Sequence, residues 1–250
     1  IHIGNNPHHL WLLRRLEGAG TAVVLHDLVL HHLLVEAAGA GRGWALEESL
    51  RRAHGEPGAA LARARGVGIA GRRDPFLFPA RTAVLRAPSA VIVHSAWAQR
   101  VVESELPGVP CGRIGLPAID PGPIDRGAAR ERLGIQPADL VLMHLGFLTP
   151  EKGLHRILAG LAAAVALDVP ARLLLVGEGR GLGEVMSAAA AAGVADRVRA
   201  VGWLDRAGFL TAPAAADLGV VLRTPSAGET SAAAVRFLAC GTPVAVGGGP

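Results

Sequence analysis

The stretch LVLMHLGFLTPEKG, residues 140–153, determines the fold class of this 250-residue chain. Its first part, Leu140–Leu145, is apolar on both faces, which is typical of a parallel strand covered by helices on each side. Gly146 ends the strand, and Thr149 and Pro150 are residue types that favour the N-cap and the first position of a helix. The stretch therefore predicts a strand–turn–helix unit with Lys152 in the first turn of the helix.

The same alternation of strand and helix continues along the chain. Helices are predicted over Ala96–Glu105, over Ala128–Leu133 and over Leu154–Val165, where apolar residues recur on one helical face. Between them, short apolar runs predict seven strands: Thr21–Leu25, Ala90–His94, Leu140–Leu145, Arg172–Val176, Val198–Val201, Leu218–Leu222 and Pro243–Val246. Alternation at this spacing predicts the α/β class with doubly wound parallel sheets.

A stretch rich in glycine and proline separates the two halves of the chain. Gly115–Pro123 reads GLPAIDPGP and has no apolar period, so it is typical of an interdomain linker. We therefore predict two Rossmann-like domains that face a cleft, 1–117 and 118–250. Because the chain begins with Ile1 rather than Met and ends on Pro250 after three glycines, we expect it to be a fragment.

Composition argues against several classes of protein. Half of the residues are hydrophobic and 18% are charged, which supports a large core and argues against disorder. The net charge of +4 suits anionic small substrates or a peripheral membrane contact. With 4% aromatic residues and no tyrosine, a surface that stacks nucleic-acid bases is not expected.

Localisation is predicted from two further features. The longest apolar run, Ile157–Leu167, is too short to span a bilayer and predicts a packed helix, and no export signal precedes it. Cys111 and Cys240 lack metal-binding or redox spacing, so we expect two buried thiols in a reducing compartment. The sequence thus predicts a cytoplasmic protein.

One basic residue stands apart from the rest. Of the 25 Lys and Arg residues, Lys152 is the only lysine. A cation in the first turn of a helix opposes the helix dipole. The conflict disappears if an anion binds there, because a phosphate would gain backbone N–H donors, the dipole and the ammonium group together. The alternative is a solvated surface lysine.

Two other strand ends carry polar or glycine-rich turns. Residues 225–231, PSAGETS, follow the strand Leu218–Leu222 at the edge where ligands bind in open α/β sheets. There Glu229 offers a carboxylate that accepts hydroxyl hydrogen bonds, and a simple helix cap is the alternative. Val176–Gly179 reads VGEG, and its glycines allow close approach to a ligand, although a tight turn explains them equally well.

Polar residues also gather at strand ends of the first half. His26 and Asp27 end one predicted strand, and Asn5 and Asn6 lie in a segment, from Gly4 onward, that follows a further candidate strand and is expected to face the same cleft. A simple turn is the alternative interpretation of the two asparagines. Several imidazoles occur nearby, so a metal site remains an alternative: His8, His9, His26 and His31. Their spacing is not that of zinc ligands on a helix, and we predict no metal.

Taken in order, these motifs resemble the family 4 glycosyltransferases of the GT-B fold. The resemblance covers nearly the whole chain and is carried by His26-Asp27, VIVHS at 91–95, the linker, GFLTPEKG at 146–153, VGEG at 176–179 and LACGTPV at 238–244. It implies an enzyme that transfers a sugar from a nucleotide-diphosphate donor with retention of configuration. The acceptor would be a glycan, a lipid-linked molecule or a small molecule, and no metal or other cofactor would be required.

The resemblance also implies residue roles. Residues 1–117 would form the acceptor-side domain and 118–250 the nucleotide-sugar-binding domain. Both would be incomplete and the sequence truncated at both ends, because a full GT-B protein has further strands before Ile1 and a closing helix after Pro250. Lys152 would neutralise charge on the leaving diphosphate, Glu229 would hold donor-sugar hydroxyls, and His26 would contact the donor sugar. Further donor-binding residues would be Gly146, Phe147, Gly177, Glu178, Gly179, Thr230 and Ser231, and the acceptor-side residues would be Asn5, Asn6 and Asp27.

The sequence departs from the family pattern at two sites. Phe147 occupies a position where members often carry arginine, so Arg180 and Arg223 are the candidates to replace that charge. Gly228 and Arg236 occupy the positions of two glutamates, with Glu229 one residue late.

These departures leave a non-catalytic nucleotide-sugar-binding module as the main alternative. A nucleotide-sugar epimerase would need cleft carboxylates that are not identified. A nicotinamide dehydrogenase is disfavoured because no Gly-x-Gly-x-x-Gly follows an early strand.

Overall fold

A computed structural model describes residues 1–16, 20–41, 45–226 and 229–247. Contacts between these residues group them into two compact units. The first comprises the described residues of Ile1–Gly115 and Pro225–Thr230, and the second those of Leu116–Thr224 and from Ser231 onward. The roles predicted for 1–117 and 118–250 stay predictions.

The first unit contains a four-stranded parallel sheet in sequential order, β1-β2-β3-β4. Its strands are β1 His2–Ile3, β2 Thr21–Leu25, β3 Pro88–Val93 and β4 Cys111–Arg113. Six helices belong to this part of the described chain: α1 Leu13–Leu16, α2 His31–Gly39, α3 Leu46–Gly66, α4 Asp74–Leu77, α5 Arg81–Val84 and α6 Ala96–Glu105, with a 3-10 helix at Pro7–Leu12. Helix α3 is kinked at Gly55, ahead of Pro57.

The second unit contains a five-stranded parallel sheet in the order β7-β6-β5-β8-β9. Its strands are β5 Leu140–Leu145, β6 Ala171–Val176, β7 Val198–Gly202, β8 Leu218–Val221 and β9 Val244–Val246. The helices are α7 Arg126–Arg132, α8 Leu154–Ala166, α9 Leu182–Ala191, α10 Arg206–Thr211 and α11 Ala232–Ala239, with 3-10 helices at Pro150–Lys152, Ala195–Arg197 and Ala212–Ala215.

Both faces of the second sheet are buried. Leu174 and Val176 of β6 belong to the core on one face, together with Phe237 of α11. Leu173 and Leu175 of the same strand pack in the other core, with the apolar side of α8. Because successive side chains of a strand point to opposite faces, the unbroken apolar runs of the sequence follow from this two-sided cover. The α/β class with two parallel sheets is confirmed.

The strand order places a topological switch in the second unit. From β5 the chain winds outward through β6 and β7, and it then returns to β8 on the other side of β5. Loops that follow β5 and β8 therefore leave the sheet side by side but turn in opposite directions. Ligands of open α/β sheets bind outside the carboxyl ends of the strands at such a point.

Three local expectations need correction. Helix α8 begins at Leu154 and not near Thr149, because the left-handed backbone of Gly153 separates the preceding turn from the helix. The strand Cys111–Arg113 escaped the apolar pattern because it has only three residues, whereas the candidate strand before Gly4 is present as His2–Ile3. Cys111 and Cys240 are half-buried and free rather than fully buried.

In the part of the chain that the structure describes, no helix is both long enough and apolar enough to cross a membrane.

Candidate functional site

The turn that carries Lys152 lies at the topological switch. It is a 3-10 helix, Pro150–Lys152, and the side chain of Thr149 makes no capping hydrogen bond there. Gly153 follows with a φ of 68°, and the long helix α8 begins only after it. The prediction that Lys152 lies in the first turn of the long helix, capped by Thr149, is therefore wrong. Lys152 instead lies one residue before the glycine that precedes α8.

The reason for this break is steric. A Cβ atom on Gly153 would be 2.0 Å from the carbonyl oxygen of Leu222. The chain after β8 thus passes so close to the turn that only glycine fits, and glycine also tolerates the left-handed φ. Nearby, Thr224 N–H donates to the carbonyl of Glu151 at 2.7 Å. These contacts fix the half-buried Lys152 turn between the ends of β5 and β8.

A buried histidine lies within the electrostatic reach of Lys152. His144, in β5, is 2% exposed, and its Nδ1 lies 3.3 Å from the carbonyl oxygen of Val220. The pKa of His144 is lowered to about 4, chiefly by burial and also by the Lys152 charge, whereas the backbone carbonyls of Val220 and Phe147 act in the opposite direction. At neutral pH His144 is therefore uncharged. No sequence pattern pointed to His144, because it lies inside an apolar run.

The two glycine turns after β5 and β6 hold each other. Gly146 N–H donates to Val176 O, and Leu148 N–H donates to Glu178 O, both at 2.9 Å. A Cβ atom on Gly177 would be 2.2 Å from the carbonyl oxygen of Gly146. The glycines were expected to let a ligand approach the backbone closely. In the structure they instead let the two loops approach each other. This interlock fixes the backbone beside the Lys152 turn.

Gly179 has the same function in the interlock. Its Cβ would lie 2.3 Å from the carbonyl oxygen of Leu148, which also accepts a hydrogen bond from Gly181 N–H at 2.9 Å. The side chain of Glu178, between the two glycines, is exposed. Of the residues predicted in this turn, Glu178 is thus the one whose side chain faces solvent.

Two aromatic rings extend from this edge of the second sheet. Phe147 follows β5 and is 61% exposed, and Trp203 follows β7 and is 70% exposed. Their ring centroids are 6.3 Å apart, with a tilt of 41° between the planes. Sequence reasoning missed Trp203, although an aromatic residue directly after a strand-ending glycine was a usable signal.

The turn with Glu229 is divided between the two units. Glu229 accepts a hydrogen bond from Ser226 Oγ at 3.2 Å, and Thr230 Oγ1 donates to the carbonyl of His94 at 3.2 Å. Both residues belong to the first unit, whereas Ser231 belongs to the second. Ser231 Oγ accepts from Ala234 N–H and so caps α11. Gly228, one of the departures from the family pattern, lies outside the described residues.

Arg236, the other departure from the family pattern in this region, packs on an aromatic ring. The guanidinium carbon of Arg236, in α11, lies 5.0 Å from the centroid of the Phe209 ring. This is a cation–π distance, so the side chain at this position packs on an aromatic ring of α10.

His26 belongs to a row of three stacked imidazoles in the first unit. His26 Nε2 lies 3.0 Å from His2 Nδ1, and His26 Nδ1 lies 3.0 Å from His94 Nε2. The ring centroids are 5.2 and 5.0 Å apart. Burial lowers the pKa of His26, and the neighbouring His94 and His2 lower it further. Both nitrogens of His26 are thus occupied by other histidines.

The predicted acceptor-side residues organise one loop. Asn5 Oδ1 accepts from Leu33 N–H at 3.0 Å in the first turn of α2, and Asn6 Oδ1 accepts from His8 N–H at 2.9 Å. Asp27 Oδ2 accepts from Asn5 N–H at 2.8 Å. The turn that was the alternative reading for the asparagines is therefore present, and the loop's backbone is fixed by these side chains.

The remaining imidazoles do not assemble into a metal site. His31 is buried in α2 with Nδ1 2.8 Å from Phe78 O, whereas His8 is exposed. Within the described ranges, no group of three or more His, Cys, Asp or Glu side chains is placed to hold a metal ion. The absence of a metal requirement stays a prediction.

Comparison with solved structures defines the fold. The chain is similar to the Anabaena protein Alr3699/HepE, solved in complex with UDP and glucose, with a TM-score of 0.57 and 18% identity over 97% of this chain and 78% of that one. WaaG, a glycosyltransferase involved in lipopolysaccharide biosynthesis, gives a TM-score of 0.57 and 17% identity over 96% of this chain and 63% of that one. The fold is that of GT-B glycosyltransferases.

Comparison of sequences finds relatives with higher identity than these structures. The chain is 37% identical over 145 residues to a D-inositol 3-phosphate glycosyltransferase of Segniliparus rotundus, covering 54% of this chain and 32% of the relative. A D-inositol 3-phosphate glycosyltransferase of Mycobacterium sp. strain KMS is 35% identical over 175 residues, covering 66% and 36%. No protein-family model matches.

These similarities confirm the resemblance to family 4 glycosyltransferases that the motif order indicated. The chain spans about a third of the length of the curated relatives it matches.

Proposed function

We propose that this chain carries the nucleotide-diphosphate-sugar site of a retaining, metal-independent glycosyltransferase. The observation that supports this most strongly is the position of Lys152. The only lysine lies on a turn fixed between the carboxyl ends of β5 and β8, at the topological switch of the second sheet. An ammonium group at this place, beside the N-terminus of the 13-residue helix α8, suits a pyrophosphate.

In this proposal the chain's residues have distinct roles. Lys152 neutralises the charge that develops on the leaving diphosphate, an electrostatic contribution that typically amounts to about 3 kcal/mol for one donor. The interlocked turns at Gly146 and Gly177 keep the surrounding backbone rigid, so that the site needs little reorganisation. Glu229 accepts hydroxyl hydrogen bonds from the donor sugar. A UDP sugar is the donor class to test first, since a neighbour of the same fold was solved with UDP-glucose.

The acceptor is proposed from the names of the relatives. Both sequence relatives described above are named for D-inositol 3-phosphate, so this compound is the first acceptor to test. The experiment is release of UDP from UDP sugars in the presence of D-inositol 3-phosphate, with wild-type protein and Lys152→Ala. We expect turnover that falls roughly 100-fold or more in the variant. Equal turnover in both proteins would remove Lys152 from the mechanism.

A second candidate is a non-catalytic nucleotide-sugar-binding module. The observation that favours it is the pair of departures from the family pattern. Phe147 presents an exposed ring where the family pattern often has an arginine, and Arg236 packs on Phe209 where that pattern has a glutamate. Binding of UDP without any turnover, over a panel of donors and acceptors, would support this candidate over the enzyme.

A further inference from the structure

One end of the row of three histidines determines the direction in which its hydrogen bonds are donated. His94 Nδ1 lies 3.2 Å from the carbonyl oxygen of Ile114, the residue that follows β4. A carbonyl oxygen can only accept a hydrogen bond. In a neutral His94 the proton must therefore be on Nδ1, which leaves Nε2 as a lone-pair acceptor.

The same constraint passes along the row. Because His94 Nε2 accepts, the nitrogen 3.0 Å away, His26 Nδ1, must donate. His26 Nε2 then carries a lone pair and accepts from His2 Nδ1, again at 3.0 Å. Each neutral imidazole has one donor and one acceptor nitrogen, so a single arrangement satisfies all three contacts. The lowered pKa of His26 agrees with a neutral middle ring.

The charged and titratable neighbours do not offer another arrangement. Besides His2 and His94, the groups that act on His26 are Asp27 and His9. Asp27 Oδ2 already accepts a hydrogen bond from the backbone N–H of Asn5. His9 Nδ1 lies 2.8 Å from the backbone nitrogen of Gly4. The two nitrogens of His26 remain paired with its two histidine neighbours.

We infer that His2, His26 and His94 form a polarised chain of Nδ1–H tautomers, in which His94 and His26 are positioning residues and the Nε2 lone pair of His2 is the acceptor presented to a substrate hydroxyl. His2 Nε2 makes no hydrogen bond with any residue that the structure describes, and its side chain is exposed. His2 also borders an open pocket of about 550 Å³ with His9, Trp11 and Arg15. The substrate role of His2 rests on the proposed function, whereas the tautomers do not.

His2, and not His26, is then the histidine expected to contact a ligand. The family resemblance implied His26, but both of its ring nitrogens are occupied within the row. The free acceptor lies one strand further along the sheet, on β1. His26 and His94 then act by orienting the ring of His2 and fixing its tautomer.

The tautomers are measured directly by long-range ¹H–¹⁵N correlation on protein labelled at histidine, at about pH 8, where free histidine is neutral. We expect His2, His26 and His94 in the Nδ1–H form, with His2 Nε2 unprotonated. In His26→Gln, His2 should revert to the Nε2–H form while His94, still held by Ile114, stays unchanged. His8→Gln is the matched control, because His8 is exposed on the same segment.

Two outcomes would overturn the chain: Nε2–H tautomers in the wild-type row, or no change at His2 in a folded His26→Gln variant. If that variant does not fold, His94→Gln serves instead, and both remaining rings should revert.

The substrate role is tested separately, with UDP-glucose and D-inositol 3-phosphate. We expect His2→Ala to lower kcat/KM about tenfold relative to His8→Ala, the loss of roughly one hydrogen bond. Equal values would overturn the substrate role of His2. Absence of any turnover in the wild type, with the tautomers as expected, would count against the proposed function while leaving the polarised chain intact.

Discussion

The carbonyl oxygen of Leu222 occupies the space that a side chain on Gly153 would need. A Cβ atom there would be 2.0 Å from the oxygen, and Gly153 has a φ of 68°. This contact joins the chain after β8 to the Lys152 turn after β5. It makes the geometry of the candidate phosphate site dependent on one glycine.

We therefore expect Gly153→Ala to destabilise the protein. The left-handed conformation alone costs a residue with a side chain about 1–2 kcal/mol, and the clash with Leu222 adds to this cost. Urea unfolding should show a loss of at least about 2 kcal/mol in the free energy of unfolding. Gly160→Ala is the control, because Gly160 lies inside helix α8 with open space around it. This variant should raise the free energy of unfolding by about 0.5–1 kcal/mol. A Gly153→Ala variant as stable as the wild type would disprove the close contact.

The buried His144 predicts a specific pH dependence of stability. Its pKa is about 4 in the folded protein, well below the ordinary histidine value of about 6.5 that applies in the unfolded chain. The unfolded chain therefore binds more protons between these values, and the free energy of unfolding falls as the pH drops through this window, by about 3 kcal/mol in total. His31 and His54, whose pKa values burial also lowers, act in the same direction.

The measurement is urea unfolding at about pH 7 and about pH 4.5 for wild type and His144→Gln. The glutamine does not titrate, so the variant should lose less stability between the two pH values. A slope identical to that of the wild type would show that His144 does not titrate in this window.

Phe147 gives a test of the missing charge. Phe147→Arg places a guanidinium directly after Gly146, beside the Lys152 turn. A charge-assisted hydrogen bond to the diphosphate is worth at least about 1.5 kcal/mol, so we expect UDP affinity to rise about tenfold by calorimetry. Leu167→Arg adds the same charge beyond the opposite end of α8 and should leave the affinity unchanged. If both variants gain equally, the effect is one of net charge only.

Ser231 separates capping from ligand binding. Its Oγ caps α11, so Ser231→Ala should cost about 1 kcal/mol, whereas Ser231→Gly should cost only a few tenths of a kcal/mol. Since the hydroxyl hydrogen remains free to donate to a phosphate, we expect the glycine variant to bind UDP about fivefold more weakly, about 1 kcal/mol. Ser95→Gly, which changes the N-cap of α6, is the control. Wild-type affinity in Ser231→Gly would assign Ser231 to capping alone.

The fold could be predicted from sequence because buried parallel strands leave a strong local signal. Each of the seven apolar runs corresponds to a strand, and β2 and β5 agree in both bounds. Strand β4 gave no such signal because it is short and partly exposed, and β1 was only a candidate because it has two residues.

Long-range contacts limited the prediction of the site. The start of α8 was misplaced because Thr149 and Pro150 favour a helix locally, whereas Leu222, far along the chain, forces the break at Gly153. The histidine row joins residues 24 and 68 positions apart. Only the register of neighbouring strands brings these rings together, and a single sequence does not reveal that register.

Binding of a pyrophosphate at the Lys152 turn is measured by calorimetric titration of UDP and UMP into wild-type protein and Lys152→Ala. Arg132→Ala, which removes an exposed cation on α7, is the control. We predict that the wild type and the control bind UDP at least about tenfold more tightly than UMP, and that this preference disappears in Lys152→Ala while the melting temperature is unchanged. The same preference for UDP in a folded Lys152→Ala protein would contradict the account.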